Sequence, residues 1–262
     1  MPESAADRFR IPSLRERVSP AEWQARIDLA ACYRLMEIYG MADMGANHVS
    51  LAVPGEEGAF LINSYGMLYE EITASSLQKI DLHGNVLMKP DFPDGIGYGV
   101  NRAGFVIHGA IHAAKPELAC VIHTHTWAGM AVSSLECGLL PMTQTAMRFA
   151  RIGYHDYEGV VLDLAMQEKL VRDLGDFPRY PAQPRLLTWA APSASLHLDA
   201  PLELSCGRSW PRRPPGEDRR GAGGVVEETW NNYQPGTRRP YGVLEWPALL
   251  RKLDRIDPGY RE

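Results

Sequence analysis

No apolar run in this chain approaches the roughly 18 residues that a membrane-spanning helix needs, so no membrane partner is expected. Residues 1–18 are polar and charged and lack the apolar core of a secretory signal. Cysteine is scarce. The four, Cys32, Cys120, Cys137 and Cys206, are scattered and never stand in CxxC spacing, which argues against a disulfide framework or a zinc ribbon. Cys32 and Cys120 lie among apolar residues and read as reduced, buried thiols of a cytoplasmic protein. Basic charge is also short: the formal net charge of -5 disfavours a nucleic-acid partner, and the one Arg-rich stretch has little aromatic interleaving. There is no internal repeat. What remains, 45% hydrophobic and 23% charged residues, is the balance of a globular chain with one substantial core.

Local patterns organise that core. Residues 1–18 read as a loose arm. Ser19-Pro20-Ala21-Glu22 has capping-box form, and Ile27, Ala30, Ala31, Leu35 and Ile38 follow at helical spacing up to Tyr39-Gly40. His48–Val53, Ala59–Asn63 and Gln78–Leu82 are short apolar runs broken by turn residues, with Pro54-Gly55 and His83-Gly84-Asn85 supplying turns, and read as an antiparallel meander. Further helices are expected over Gly104–Ala114, Trp127–Leu135, Met166–Leu174 and, near the end, Trp246–Arg255, with a strand over Leu118–His125. From Arg179 to Gly224 proline and arginine crowd the chain, and no regular unit is expected there.

The chemistry centres on His123-Thr124-His125. Residues two apart on a strand face the same way, so two imidazoles at a strand end can bite one transition-metal ion; the alternative is an ordinary hydrogen-bonded ring. His108 and His112, four apart, share a helix face and admit the same two readings. Tyr154-His155-Asp156-Tyr157-Glu158 is rich in titratable groups, a source of an acid/base, of a third ligand, or merely a solvated loop. Gly40–Gly45 with Asn47 and Ser50 suggests an anion-holding turn, a weak signal alone. Glu70-Glu71 reads as surface charge, and Trp189 and Trp246 as core or interface aromatics.

Taken in order, Gly45-Ala46-Asn47-His48-Val49-Ser50, Leu61-Ile62-Asn63-Ser64-Tyr65-Gly66, Asn101–His112 and His123-Thr124-His125 resemble the motifs of the class II aldolase/adducin family, across residues 22–175. The resemblance implies a three-layer α/β/α sandwich on a mainly antiparallel sheet and a homotetramer with active sites between subunits. It further implies a Zn²⁺ ion, or another divalent metal such as Mn²⁺, that stabilises a carbonyl or enediolate oxygen of a small-molecule substrate. By carry-over His123 and His125 are metal ligands, and Asn47 and Gly66 lie near the substrate. Three departures stand out. The family's Ser-Ser-Glu, whose Glu is the acid/base, is replaced by Asn101-Arg102-Ala103-Gly104, leaving Asn101 as a substrate-side candidate; Tyr65 replaces a phosphate-binding Thr, which points to a non-phosphorylated substrate. The third histidine of Asn-His-Gly is replaced by Gln183-Pro184-Arg185 before Leu186-Leu187-Thr188-Trp189. The regular helix after that strand is replaced by the Pro/Arg-rich stretch.

The pattern Asn101-Arg102-Ala103-Gly104-Phe105 resembles the adducin-like branch, in which many members have no established reaction and the adducin head domain is a cytoskeletal scaffold. The composition of Arg179–Arg185, Ala190–Pro201 and much of Gly207–Gly224 is also that of GC-rich coding DNA read out of frame; the rival reading is a natural, diverged insertion. The reading is an α/β domain over residues 19–205, irregular at 179–224, and an extension over 225–262 whose helix crosses to a neighbouring subunit. Its function is a metal-dependent lyase that makes or breaks a C–C bond, or decarboxylates, beside a carbonyl. Tyr154, His155 or Asp156 would substitute for the missing acid/base. The alternative is a non-catalytic, adducin-like interaction module.

Overall fold

The computed structural model describes residues 10–93, 97–156, 165–175, 187–191, 223–233 and 244–262. Six strands form one sheet: β1 (His48–Ala52), β2 (Ala59–Ile62), β3 (Gln78–Asp81), β4 (Val86–Met88), β5 (Cys120–Thr124) and β6 (Leu187–Ala191). Their order is β4-β3-β2-β1-β5-β6, and every pairing is antiparallel. The meander therefore lies on one side of β1, and the His-x-His strand pairs on its other side.

The helices are α1 (Pro20–Ile38), α2 (Arg102–Ala114), α3 (Trp127–Ser133), α4 (Gln144–Met147), α5 (Ala165–Leu174), α6 (Gly223–Asn232) and α7 (Glu245–Ile256). Helix α1 starts as its sequence dictates: Ser19 Oγ accepts the Glu22 N–H at 3.1 Å and Pro20 occupies the first turn. It ends at Gly40, whose φ of 68° is open to glycine without strain. Only half of the capping box forms, because the Glu22 carboxylate turns to Arg26 and Lys79 instead.

Alternation along β1 divides the molecule into layers. Val49 and Leu51 join the core built on α1 with Leu29, Leu35, Met36, Leu61 and Ile122. On the opposite face Val121 packs with Ile107, Ile111 and Leu170 of α2 and α5. Each fully buried leucine or methionine contributes about 1.5–3 kcal/mol of burial. Tyr33 of α1 fastens the strands from below, its hydroxyl accepting the Val49 N–H at 2.8 Å and the Asn63 N–H at 3.3 Å. The result is the three-layer α/β/α arrangement on an antiparallel sheet.

Both ends of the described chain pack on the core. The N-terminal arm is anchored from Leu14, which is fully buried and donates its N–H to Ser75 Oγ at 3.2 Å. At the other end, α7 lies against α1 of its own chain. Leu253 is buried, Trp246 Nε1 donates to Asp28 at 3.1 Å, and the Arg34 guanidinium pairs with Asp257 at 2.9 Å. Trp246, Leu249 and Leu250 join Leu253 against the core built on α1, which covers the helix's apolar face. The proposed out-of-frame segments lie outside the described residues, except that Ala190 and Ala191 continue β6 and pair with Val121 and Cys120.

Candidate active site

Seven polar side chains meet where β1, β5, α2 and the loop before β1 converge. His48 and Ser50 occupy alternate positions of β1, so both face α2. His108 and His112, one turn apart on α2, face back toward the strand. His123 lies opposite His48 in the β1–β5 register, and His125 follows just past the end of β5. Asp43 comes from the loop after α1.

The two β5 histidines converge: their Nε2 atoms are 3.2 Å apart. Two nitrogens bound about 2.0–2.1 Å from one tetrahedral ion would lie roughly 3.3 Å apart, so the spacing suits two ligand positions of a single ion. His125 Nδ1 stands 2.8 Å from Asp43 Oδ2. A carboxylate only accepts, so Nδ1 carries a proton, and Nε2, on the side of His123, is the nitrogen left for a metal. The third ligand is a different matter. Among the described residues no group of three or more His, Cys, Asp or Glu side chains is gathered as a metal site. Positions 183–185, where the resemblance would put the third histidine, lie outside the described residues.

Beneath this pair runs a buried polar chain. His48 Nδ1 is 2.8 Å from His108 Nε2, His108 Nδ1 is 2.6 Å from Ser50 Oγ, and Ser50 Oγ is 2.8 Å from His112 Nε2. The His48 ring stacks on His123, centroids 4.5 Å apart and planes within 9°. Burial, which penalises a charged ring, holds His48, His108 and His123 well below the ordinary histidine range and lowers His112 to about 4. These are neutral imidazoles, the form in which a metal ligand offers its lone pair. Gly104 closes the site from α2: a Cβ there would stand 2.9 Å from His48 Cδ2.

The other sequence candidates divide. Asn47 is fully buried and spends its amide on its own loop, donating to the Met41 carbonyl at 2.6 Å and accepting the Asp43 N–H at 3.2 Å. It shapes the loop that presents Asp43. Asn101 caps α2, its Oδ1 accepting from Ala103 and Gly104 at 3.0 and 3.3 Å. Gly66 takes φ of 105° in the turn beside Tyr98. Tyr154 is half exposed and its hydroxyl accepts the Leu139 N–H at 2.9 Å. His155 is buried with Nδ1 2.6 Å from Asp173 of α5, while Asp156 is exposed. His108 and His112 turn out to be hydrogen-bonded packing histidines, one of the two readings their spacing allowed. Asp43 was not found from sequence. It lies 82 positions from His125, and the only local signal is an acid in a Gly-bearing loop before a strand.

The fold defines a class of protein, and comparison with known chains agrees. Residues 27–182 match the class II aldolase and adducin N-terminal domain family, and the chain belongs to it. It is 42% identical over 260 residues, 95% of this chain and 96% of the other, to a Caulobacter vibrioides protein named for class 2 aldolases. It is similar to the crystal structure of an aldolase II superfamily protein from Pseudomonas syringae, with a TM-score of 0.87 and 39% identity over 96% of this chain and 100% of that one. It is also 41% identical over 150 residues to alpha-adducin of Rattus norvegicus, which covers 57% of this chain but 20% of the adducin. Among the described residues no helix is long and apolar enough to cross a membrane.

Proposed function

We propose that this chain is a metal-dependent lyase acting beside a carbonyl of a small, non-phosphorylated, oxygenated substrate. The observation that carries the reading is the 3.2 Å approach of His123 and His125 Nε2, with Asp43 holding the His125 tautomer. These two rings would hold a divalent ion, Zn²⁺ or Mn²⁺, whose contribution when bound is Lewis-acid stabilisation of oxygen charge as a C–C bond breaks or forms. The protein's own part is positional. Asp43 orients His125, the stacked His48 ring fixes the plane of His123, and Gly104 admits that stack. His155, set against Asp173, is the best placed of the three acid/base candidates to hold a proton in a defined tautomer. A homotetramer would bring a neighbour's groups to the open side of the pair.

A second reading has its own support. Asn101 fills the acid/base position with a helix cap, and among the described residues no third ligand joins the histidine pair. Both features fit an adducin-like interaction module that kept the fold without the chemistry. Metal titration separates the two. The lyase reading expects one equivalent of Zn²⁺ or Mn²⁺ per chain, lost in His123→Ala without unfolding, and a carbonyl-forming activity abolished by chelation. Metal content unchanged by His123→Ala refutes the ligand role. No metal uptake by the intact chain favours the interaction module.

A further inference from the structure

Ser50 is the junction of the buried chain beneath the histidine pair, and the direction of every proton in that chain can be counted. His112 donates one ring N–H to the Leu118 carbonyl, which can only accept. Its Nε2 therefore carries the lone pair of the neutral ring and accepts from Ser50 Oγ. A hydroxyl has one proton, so Ser50 Oγ in turn accepts from His108 Nδ1. His108 is left with its lone pair on Nε2, which accepts from His48 Nδ1. The accounting has one solution: His48, His108 and His112 all carry the proton on Nδ1. His48 is then held on three sides, by the bond to His108, by Gly104 and by the parallel ring of His123.

We propose that this one-way chain, anchored at the Leu118 carbonyl and passing through Ser50, fixes the tautomer and seat of His48 and through it the ring plane of His123. Ser50, His108 and His112 are thus positioning residues for the His123–His125 pair. No proton has to be gained or lost for this role; what matters is which nitrogen carries it. The consequence for metal affinity rests on the metal reading above, whereas the tautomer pattern does not.

The test uses the full-length, metal-free, ¹⁵N-labelled protein. Long-range proton–nitrogen correlation reads the protonated nitrogen of each of the eight histidines. Nδ1–H is expected for His48, His108 and His112, and His108 protonated on Nε2 overturns the chain as described. Ser50→Ala should release the tautomers of His48 and His108, move the His123 ring resonances and weaken Zn²⁺ binding about tenfold, in line with the loss of an outer-shell partner. Ser50→Thr keeps the hydroxyl and should restore all three. Leu29→Ala, in the core on the other face of the sheet, lowers stability and should leave them unchanged. His48 and His123 resonances and Zn²⁺ affinity that stay at wild-type values in Ser50→Ala sink the positioning role. If the wild-type chain takes up no Zn²⁺, the metal reading fails by itself, and the His123 ring resonances in Ser50→Ala decide the proposal. Should Ser50→Ala not fold, His112→Asn, which cuts the anchor at Leu118, gives the same decision.

Discussion

Asp43 Oδ2 stands 2.8 Å from His125 Nδ1 although 82 positions separate them in the chain. A carboxylate behind a histidine fixes its tautomer and raises its basicity, and removing such a partner costs about 10–100-fold in metal affinity. Asp43→Asn should therefore weaken Zn²⁺ binding by that order. It should leave thermal stability nearly unchanged, because the Asp43 side chain is 46% exposed. Competition with a chromophoric chelator measures the first effect and a thermal melt the second. Equal affinity in wild type and variant would remove Asp43 from the site.

Much of this fold was legible because local patterns agreed with the global one. The Ser19 cap, the apolar positions of α1 and the glycine stop were all readable within twenty residues, and the structure realises them. The β1–β3 meander was equally local, with Pro54-Gly55 marking its first turn, and His83-Gly84-Asn85 proves to be the turn from β3 to β4. Strand β4 was missed: Val86–Met88 is three residues long, exposed or half-buried, and offers no alternation to detect. The His123–His125 pair was legible because period two on a strand is a rule of geometry. The link of His48 to His123 was not, because it depends on the register of two strands some seventy residues apart. Nor could sequence tell that Asn47 serves its own loop, since an amide's partners are set by backbone conformation.

Gly104 is where α2 and the histidine stack come closest. A methyl group added there would meet His48 Cδ2 at 2.9 Å and Cγ at 3.0 Å, both atoms of a rigid ring held on its other face by His123. Gly104→Ala should raise helix propensity yet destabilise the fold by about 1–3 kcal/mol, as overpacking does. Chemical denaturation measures it. A stability gain would mean that the ring can move aside, and the three-sided seat of His48 would then be wrong.

Glu22 binds two cations at once, Arg26 at 2.8 Å and Lys79 at 2.9 Å, and both Glu22 and Arg26 are essentially inaccessible. Arg26 also donates to the Leu77 carbonyl at 2.8 Å, so its position is over-determined. Removing the single carboxylate leaves a guanidinium buried without a counter-charge. Glu22→Gln should cost about 3–5 kcal/mol, the usual consequence of breaking a buried pair from one side. Lys79→Met should cost less, because Glu22 keeps Arg26 and Glu56 is 43% exposed. Reversal of that order in urea titrations would place the weight of the network on Lys79.

His112 supplies a pH dependence with a definite sign. Its folded-state value is lowered from 6.5 to about 4 by burial, so the folded chain resists a proton that the unfolded chain accepts. Above the unfolded value both states are neutral at this ring and stability is full. As pH falls from about 6.5 toward 4 the unfolded state gains a proton that the folded state refuses, and stability drops by about 1.4 kcal/mol per pH unit for this one group. Below about 4 the folded ring protonates too and this contribution levels off. His112 faces Ser50, Phe60 and the Leu118 carbonyl, and no carboxylate is among these contacts to rescue the charged form. His112→Asn should therefore be less stable than wild type at pH 7.5 but lose stability more slowly on acidification to pH 5. Urea unfolding at half-unit steps resolves the two slopes. Parallel curves would show that His112 carries the same proton in both states, and the buried, neutral ring at the foot of the Ser50 chain would have to be abandoned.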